Sequence, residues 1–192
     1  GVRVPVIRGF VKQWMTMSLV QNEVLLHSPF HEVRLAAVIL LSEKFKRADS
    51  ELQLAIYQLY LKNTAYVNNW DIVDSSAHKI VGPYLLDKDH LPLFKLIKSK
   101  HLWERRIAII ATFYFIKRQQ FETALTLVEH ILNHDEDLIH KASGWMLREI
   151  GNQDLSREEA FLNKHYQIMP RAMLRYAIEK FPQSRRLHYL QK

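Results

Sequence analysis

Apolar residues recur along most of the chain every three or four positions, which is the period of one face of an α-helix. Near the start, four residues with this spacing predict a helix from about residue 6 to residue 19: Val6, Phe10, Trp14 and Met17. The run 33–45 is apolar nearly all round, as in a helix buried between neighbours. The same spacing predicts helices over 51–61, 91–97, 103–115, 121–132 and 138–150. Because no run alternates apolar and polar residues, the sequence predicts an all-α fold.

Residues that favour helix ends divide this pattern. Ser28-Pro29 predicts a helix start, with the serine as N-cap and the proline at the first helical position. Gly82-Pro83 should break the helix that contains Trp70, and Gly151-Asn152 should end a later helix. The segment 156–159 has the spacing of a capping box and should open the helix that follows.

A repeat runs through the helices, in which a basic residue is followed two positions later by a small one. It occurs at Arg34, Arg106, Lys141 and Arg175. The steps are 106 − 34 = 72, 141 − 106 = 35 and 175 − 141 = 34, so one repeat is missing near residue 70. A period of about 35 lies in the range of TPR, HEAT and armadillo repeats. No TPR signature fits, so we expect residues 1–192 to form one HEAT-like domain with a concave basic face.

The composition indicates a folded chain with a polyanionic partner. The chain has 192 residues, of which 48% are hydrophobic, and its formal net charge is +7. A positive balance favours nucleic acid as a partner and, second, an anionic membrane surface; the alternative is a charge that only aids solubility. The chain has no cysteine, which fits a reducing compartment, and we expect a cytoplasmic protein. No apolar run reaches 18 residues and no signal peptide is visible.

The recurring basic residues have two readings. They could form a stripe along one inner face, where each would neutralise a DNA phosphate. Alternatively, each could extend to solvent at a helix end or pair with a local acid. The missing repeat is occupied by Trp70-Asp71-Ile72-Val73-Asp74. Trp70 and Asp74 are four residues apart, so on a helix they lie on one face, one turn apart.

Three motifs resemble a known family. They are Trp70-Asp71-x-Val73-Asp74, Trp103-x-x-Arg106-x-Ala108 and Lys141-Ala142-x-Gly144-Trp145-x-Leu147-Arg148-Glu149. Together they resemble the DNA alkylation repair (AlkD-type) family of HEAT-like-repeat alkylpurine DNA glycosylases, from Gly1 to about Phe181. The opening Gly1-Val2-Arg3-x-Pro5 resembles the segment that follows the first helices of the family, so we expect those helices to be absent here. The chain has Asn69 and Leu138 where some relatives have Trp and Phe.

The resemblance implies an activity and roles for individual residues. Such enzymes hydrolyse the N-glycosidic bond of cationic N3- and N7-alkylated purines in double-stranded DNA during base excision repair. Asp74 matches the catalytic carboxylate, and Trp70 and Trp145 match the indoles that line the lesion site. Arg106 matches the arginine that binds a phosphate beside that site. The residues that we expect to add phosphate contacts are Arg34, Lys141, Arg148 and Arg175.

The residue types suit this chemistry. An alkylated purine is already cationic and leaves without protonation, so one carboxylate near C1′ is enough, whereas O-glycosidases need two. Indole faces attract cations and would favour the charged base. Asp71 is a rival carboxylate, for which we expect a role at the helix start or in a pair with a nearby base. Taken alone, each indole could also be core packing and Asp74 a solvated acid.

Other functions stay open at the level of sequence. A non-catalytic HEAT-like protein that binds DNA would keep the basic residues, and a protein–protein scaffold is a common use of such repeats. Two histidine pairs have the spacing of zinc ligands: His27 with His31, and His130 with His134. Neither pair lies in an H-E-x-x-H motif, so we expect solvated histidines there. We expect a monomer that uses neither a metal nor a cofactor.

Overall fold

The computed structural model describes residues 1–191, where the regular secondary structure is helical throughout and no strand occurs. The all-α prediction is therefore confirmed. The chain divides into two compact units, an N-terminal unit of Gly1–Lys88 and a C-terminal unit that begins at Asp89. The N-terminal unit contains α1 (Val4–Gln13), α2 (Leu19–Leu26), α3 (His31–Arg47), α4 (Ser50–Lys62) and α5 (Trp70–Leu85).

The C-terminal unit contains eight helices among the described residues. They are α6 (Leu91–Ile97), α7 (Leu102–Ala111), α8 (Phe113–Ile116), α9 (Glu122–His130), α10 (Asp137–Gln153), α11 (Leu155–His165), α12 (Arg171–Ala177) and α13 (Gln183–Leu190). Short 3-10 turns lie at Thr64–Tyr66 in the first unit and at Ile178–Lys180 in the second. In residues 1–191, no helix is both long and apolar enough to span a bilayer.

Helix α3 is the centre of the N-terminal unit and packs against α1, α2, α4 and α5. Its residues from Leu35 to Ser42 are all buried, which confirms the prediction of a helix apolar nearly all round. Such a helix gains its stability from neighbours on every side, because burial removes apolar surface from water at about 25 cal/mol per Å². The position of α5 is therefore set by its packing on α3 and α4.

Helix α10 has the same central place in the C-terminal unit, where it packs against α7, α8, α9, α11 and α12. The close approach of α10 and α12 depends on Gly144. A β-carbon at this position would collide with the main-chain oxygen of Met173 and lie 2.6 Å from Cβ of Tyr176. Only glycine fits between the two helices, so the Gly-Trp pair of the third motif has a packing reason.

Several predicted helix ends are wrong. Helix α1 ends at Gln13, and α2 is a separate helix that begins with a capping box of Ser18 and Gln21. The prediction of one helix over 6–19 missed this cap. At Ser28-Pro29 no helix starts; α3 begins at His31, and the Ser28 hydroxyl instead accepts a hydrogen bond from the Phe30 amide.

Two predicted helix breaks are absent. Helix α5 continues through Gly82-Pro83 to Leu85, because Gly82 and Leu85 are buried and tertiary packing holds this segment in the helix. Helix α10 continues through Gly151 to Gln153, and no glycine in residues 1–191 has a positive φ. The start of α11 is capped by Asp154, whose carboxylate accepts the amides of Ser156 and Arg157, and not by the predicted serine.

Candidate functional site

Trp70 and Asp74 lie at the start of α5, as the motif predicts. Asn69 is the N-cap, and its side-chain oxygen accepts the Trp70 amide at 2.7 Å. Trp70 is the first helical residue and is 54% exposed, so it is not a core tryptophan. Asp74 follows one turn later and is half-buried. The helix therefore presents an exposed indole and a carboxylate on one face.

Asp71, the rival carboxylate, is bound within the N-terminal unit. Its Oδ2 atom lies 2.8 Å from Nε2 of His31 on α3, and its Oδ1 atom accepts the amide of Ile72 at 2.9 Å. Asp71 thus fixes the first turn of α5 to the first turn of α3. This confirms the expectation that Asp71 orients the helix start and pairs with a nearby base.

Two groups near Asp74, Tyr60 and His78, are uncharged at neutral pH. The fully buried Tyr60 of α4 donates its O–H to Ser76 at 2.8 Å, because the Ser76 hydroxyl itself donates to the Ile72 carbonyl at 2.7 Å. Burial raises the pKa of Tyr60, and the negative charge of Asp74 raises it further. One turn beyond Asp74, burial lowers the pKa of His78 to about 4, with a further lowering from Lys79.

In the C-terminal unit, Trp145 of α10 belongs to a network of four side chains. Its indole N–H donates to Glu149 at 3.1 Å, and its ring lies 5.7 Å from that of Phe113 in a tilted contact. Lys117 pairs with the same carboxylate at 2.9 Å and lies over the Phe113 ring. Burial would raise the pKa of Glu149, but the hydrogen bonds from Lys117 and Trp145 outweigh it and hold the pKa below its usual value.

Among the predicted phosphate-binding residues, Arg106 and Lys141 lie close enough to repel each other. Arg106 is only 5% exposed, and its guanidinium donates to the carbonyl of Leu138 at the start of α10. Lys141 pairs with Asp137 at 2.5 Å, and this partner raises its pKa. Both cations therefore have partners inside the protein, although an exposed pair such as Lys141 with Asp137 is screened by water and readily exchanged.

The two remaining cations of this unit differ from each other. Arg148 is half-buried and forms an ion pair with Glu179, beyond the end of α12. Arg175 is exposed, and no partner is found for it among residues 1–191. Of the cations in the C-terminal unit that we predict to bind phosphate, Arg175 has its guanidinium most available to a ligand.

The hydrogen bonds correct the register of the repeat. Arg34 donates to the carbonyl of Ser28, six residues earlier, and Arg105 donates in the same way to Ser99, also six residues earlier. His140 forms a hydrogen bond through Nε2 with the carbonyl of His134, again six residues earlier in the chain. Arg34, Arg105 and His140 are therefore equivalent, and each is the fourth residue of its helix.

The neighbouring position holds four of the predicted site residues. The fifth residue of α5, α7, α10 and α12 is Asp74, Arg106, Lys141 and Arg175, respectively. In α3 the fifth residue is the buried Leu35. Arg34 is the fourth residue of α3, and its guanidinium hydrogen-bonds to the turn that precedes the helix. The repeat thus places an acid in α5 where three other helices have a cation. The repeat in the sequence aligned Arg34 with Arg106, whereas the helices align Arg34 with Arg105. It therefore did not show that Asp74 stands at the position of a cation.

The histidines with zinc-like spacing each have a hydrogen bond of their own. His27 lies 2.6 Å from the side chain of Asn63, His31 pairs with Asp71, and His130 lies 2.8 Å from the carbonyl of Thr126. His134 accepts the amide of Glu136. No cluster of three or more histidine or acidic side chains within 1–191 has the arrangement of a metal site.

Two residues of these sites were missed by sequence reasoning. His31 lies 40 residues before its partner Asp71, and no local pattern links them. Glu149 stands four residues after Trp145 within the third motif, and that spacing alone could have predicted the hydrogen bond. The predicted site residues lie in both units, with Trp70, Asp74 and Arg34 in the first and the others in the second.

Comparison with known proteins identifies the family. The model of a family described as DNA alkylation repair enzyme matches residues 1–181. The chain belongs to this family. A solved structure titled as a predicted DNA alkylation repair enzyme from Enterococcus faecalis has a TM-score of 0.73 at 17% identity, over 95% of this chain and 88% of that one. At this identity the likeness shows the fold, an all-α helical repeat. No curated protein matches the sequence.

Proposed function

We propose that this DNA alkylation repair enzyme is a monofunctional DNA glycosylase that removes cationic N3- and N7-alkylated purines from double-stranded DNA in base excision repair. The observation that carries the proposal is the start of α5, where exposed Trp70 stands one turn before Asp74. The pairing of Asp71 with His31 supports Asp74 as the acting carboxylate, because the rival has a structural role. Membership of the family supports DNA as the partner.

The reaction needs little from the protein beyond one placed charge. The bond between C1′ and the purine nitrogen breaks, and its electron pair neutralises the positive purine, which leaves as a neutral base. The sugar becomes an oxocarbenium-like cation that the Asp74 carboxylate stabilises. Water adds to C1′, Asp74 accepts its proton, and an abasic site remains. An oriented charge of this kind is worth about 3–4 kcal/mol in other enzymes.

The neighbours of Asp74 suit this role. His78, one turn farther along α5, is neutral at pH 7 because burial lowers its pKa to about 4. Tyr60 keeps its proton because burial raises its pKa. His78 therefore places no positive charge beside Asp74 that would compete with the developing sugar cation, and Tyr60 places no negative charge there. The carboxylate acts in a partly buried place, where a charge is screened less than in water.

Selection of the charged base falls to the indoles. Trp70 offers an exposed ring, and a cation held over an indole face gains about 0.5–2 kcal/mol, depending on how much water is removed. A neutral purine gains no such term. We assign Trp145 the same role on α10, where Phe113 and Glu149 hold its indole in place. The two rings would then favour an alkylated purine over the normal base.

The cations of the repeat would hold the DNA backbone. Lys141 and Arg175 reach solvent, and Arg148 would have to exchange Glu179 for a phosphate. We also assign a phosphate contact to Arg106, which donates to the Leu138 carbonyl. Arg34 has a lesser role, because it already donates to the carbonyls of the turn before α3. Such contacts release counterions, so affinity should fall steeply with salt.

The proposal is tested by the products. The purified protein is incubated with methylated duplex DNA, and free 7-methylguanine and 3-methyladenine are quantified by mass spectrometry. We expect release of both cationic bases without added metal, and no release of uracil, a neutral base, from a matched duplex. Binding to DNA without release of any base would make the protein a non-catalytic DNA-binding member of its family. Equal release of the neutral base would remove the cation-selective role of the indoles.

A further inference from the structure

Phe30, the residue before α3, is an exposed aromatic side chain on a fixed turn. Its ring is 69% exposed. The Phe30 amide donates to the Ser28 hydroxyl at 3.2 Å, and Arg34 donates to the carbonyls of Ser28 and Pro29 at 2.9 and 3.0 Å. The backbone on the N-terminal side of Phe30 is therefore tied to α3, which holds the ring outward instead of letting it fold against the core.

The turn of Phe30 lies at the same end of the N-terminal unit as the start of α5. His31 directly follows Phe30, and Asp71 directly follows Trp70. Since His31 and Asp71 are 2.8 Å apart, their hydrogen bond joins the two helix starts and brings the two exposed rings to one end of the unit. Two aromatic side chains, 69% and 54% exposed, thus flank a built contact between α3 and α5.

The two exposed rings favour a partner with flat groups that can stack on them. The acids of the two first turns are held within the protein: Glu32 accepts its own backbone amide, and Asp71 accepts the Ile72 amide and contacts His31. A nucleic acid strand offers planar bases, and bases stack on exposed aromatic rings. Membership of the DNA alkylation repair family favours DNA over an apolar protein as the source of those bases.

We infer that Phe30 is a second aromatic contact to DNA, which stacks on a nucleobase beside the nucleotide held at Trp70. This rests on the proposed function, because it takes the start of α5 as the place where the lesion strand lies. Base–aromatic stacking tolerates any sequence, since every base has a π-face, and a stacked ring would support the strand while the damaged nucleotide is held. Phe30 would thus contribute to binding without touching the reacting atoms.

The test compares three substitutions in the full chain: Phe30→Ala, Phe30→Leu and Phe30→Trp. Affinity is measured for a duplex that contains a tetrahydrofuran abasic analogue, over a range of salt concentrations. We expect Ala and Leu to weaken binding about tenfold and Trp to retain it, because stacking needs an aromatic face. The dependence on salt should not change, since Phe30 makes no ionic contact. The matched control is Val24→Ala on α2, also 69% exposed, which should bind as the wild type does.

The outcomes separate this inference from the proposed function. If Phe30→Ala binds as tightly as the wild type, or if Leu serves as well as Trp, the stacking contact is excluded even where base release is normal. If no base is released but binding depends on an aromatic residue at position 30, the contact stands and the glycosylase proposal fails. A wild-type chain that does not bind the duplex contradicts both. The thermal midpoints of the free variants should match, because the ring is exposed.

Discussion

Nε2 of His31 lies 2.8 Å from Oδ2 of Asp71, and this contact joins the first turns of α3 and α5. The pair fixes the end of α5 that carries Trp70 and Asp74. Both side chains are partly exposed, so the contact is a modest contribution to stability and an important one to position. Asp71 thus has a structural role, and Asp74 is the acid for which we propose the catalytic one.

We predict that Asp71→Asn lowers the free energy of unfolding by about 1 kcal/mol, because it weakens the hydrogen bond to His31 and removes a negative charge that favours the helix start. Urea denaturation followed by circular dichroism measures this change. Glu51→Gln is the control, since Glu51 is an exposed acid in the first turn of α4. A loss as large for Glu51 as for Asp71 would mean that the contact with His31 adds nothing.

We predict that Gly144→Ala destabilises the protein by about 2 kcal/mol or more. The added methyl group would collide with the main-chain oxygen of Met173, and main chain cannot move aside as a flexible side chain can. Gly9, inside α1, is the matched control, because nothing lies within 4 Å of a β-carbon there. Gly9→Ala should stabilise the chain by about 0.5–1 kcal/mol, through helix propensity alone. Equal effects of the two substitutions in thermal denaturation would contradict the packing role of Gly144.

The two glycines of α10 show what sequence could not predict. Gly151 looked like a helix end, but it lies inside α10, where a β-carbon would collide with the Glu158 carboxylate. From the local sequence, a glycine required by close packing cannot be distinguished from a glycine required by a helix-ending turn. Only the packing of α10 on α11 distinguishes them, and that packing is set by residues distant in sequence.

What periodicity could predict was the fold class and the buried character of α3, because both follow from local spacing. The spacing of Trp70 and Asp74 likewise placed them one turn apart on a single helix. The roles of the cations could not be predicted, since Arg106 is buried against Leu138 and Arg148 is paired with Glu179. Those partners lie about 30 residues away, beyond the reach of any local pattern.

Glu158 should make stability depend on pH. Burial raises the pKa of this carboxyl to about 8 from 4.5, with a further rise from Glu159 and an opposing effect of Arg148, and its Oε1 atom has no hydrogen-bond partner. Between these values the folded state holds a proton that the unfolded state has lost, so stability falls as pH rises from about 4.5 to about 8.

We predict that Glu158→Gln, which cannot lose a proton, gains on the wild type by about 3–4 kcal/mol between pH 5 and pH 8. Urea denaturation at both pH values gives the stability of the variant relative to the wild type at each pH. Any effect of the amide that does not depend on pH cancels when the two values are compared. Tyr189 also faces Glu158 and titrates at higher pH, because burial raises its pKa. If the gap between variant and wild type were the same at both pH values, Glu158 would be charged throughout.

Arg106 and Arg175 occupy the same repeat position but should respond differently to substitution. Arg106→Ala leaves the Leu138 carbonyl without its donor and should lower the free energy of unfolding by about 1–3 kcal/mol in the absence of DNA. Arg175→Ala should leave stability within about 0.5 kcal/mol, because Arg175 is exposed. Each should reduce the salt slope of duplex binding by about one unit. An unchanged slope for either would show that its guanidinium does not meet a phosphate.

We propose that Asp74, and not its neighbour Asp71, drives cleavage of the N-glycosidic bond. The most direct test measures single-turnover release of 7-methylguanine from methylated duplex DNA by wild type, Asp74→Asn and Asp71→Asn at one temperature where all three are folded. We predict a fall of about 100-fold or more for Asp74→Asn with duplex binding retained, as expected for loss of one placed charge, and a few-fold change for Asp71→Asn. Release by Asp74→Asn at the wild-type rate would contradict the account.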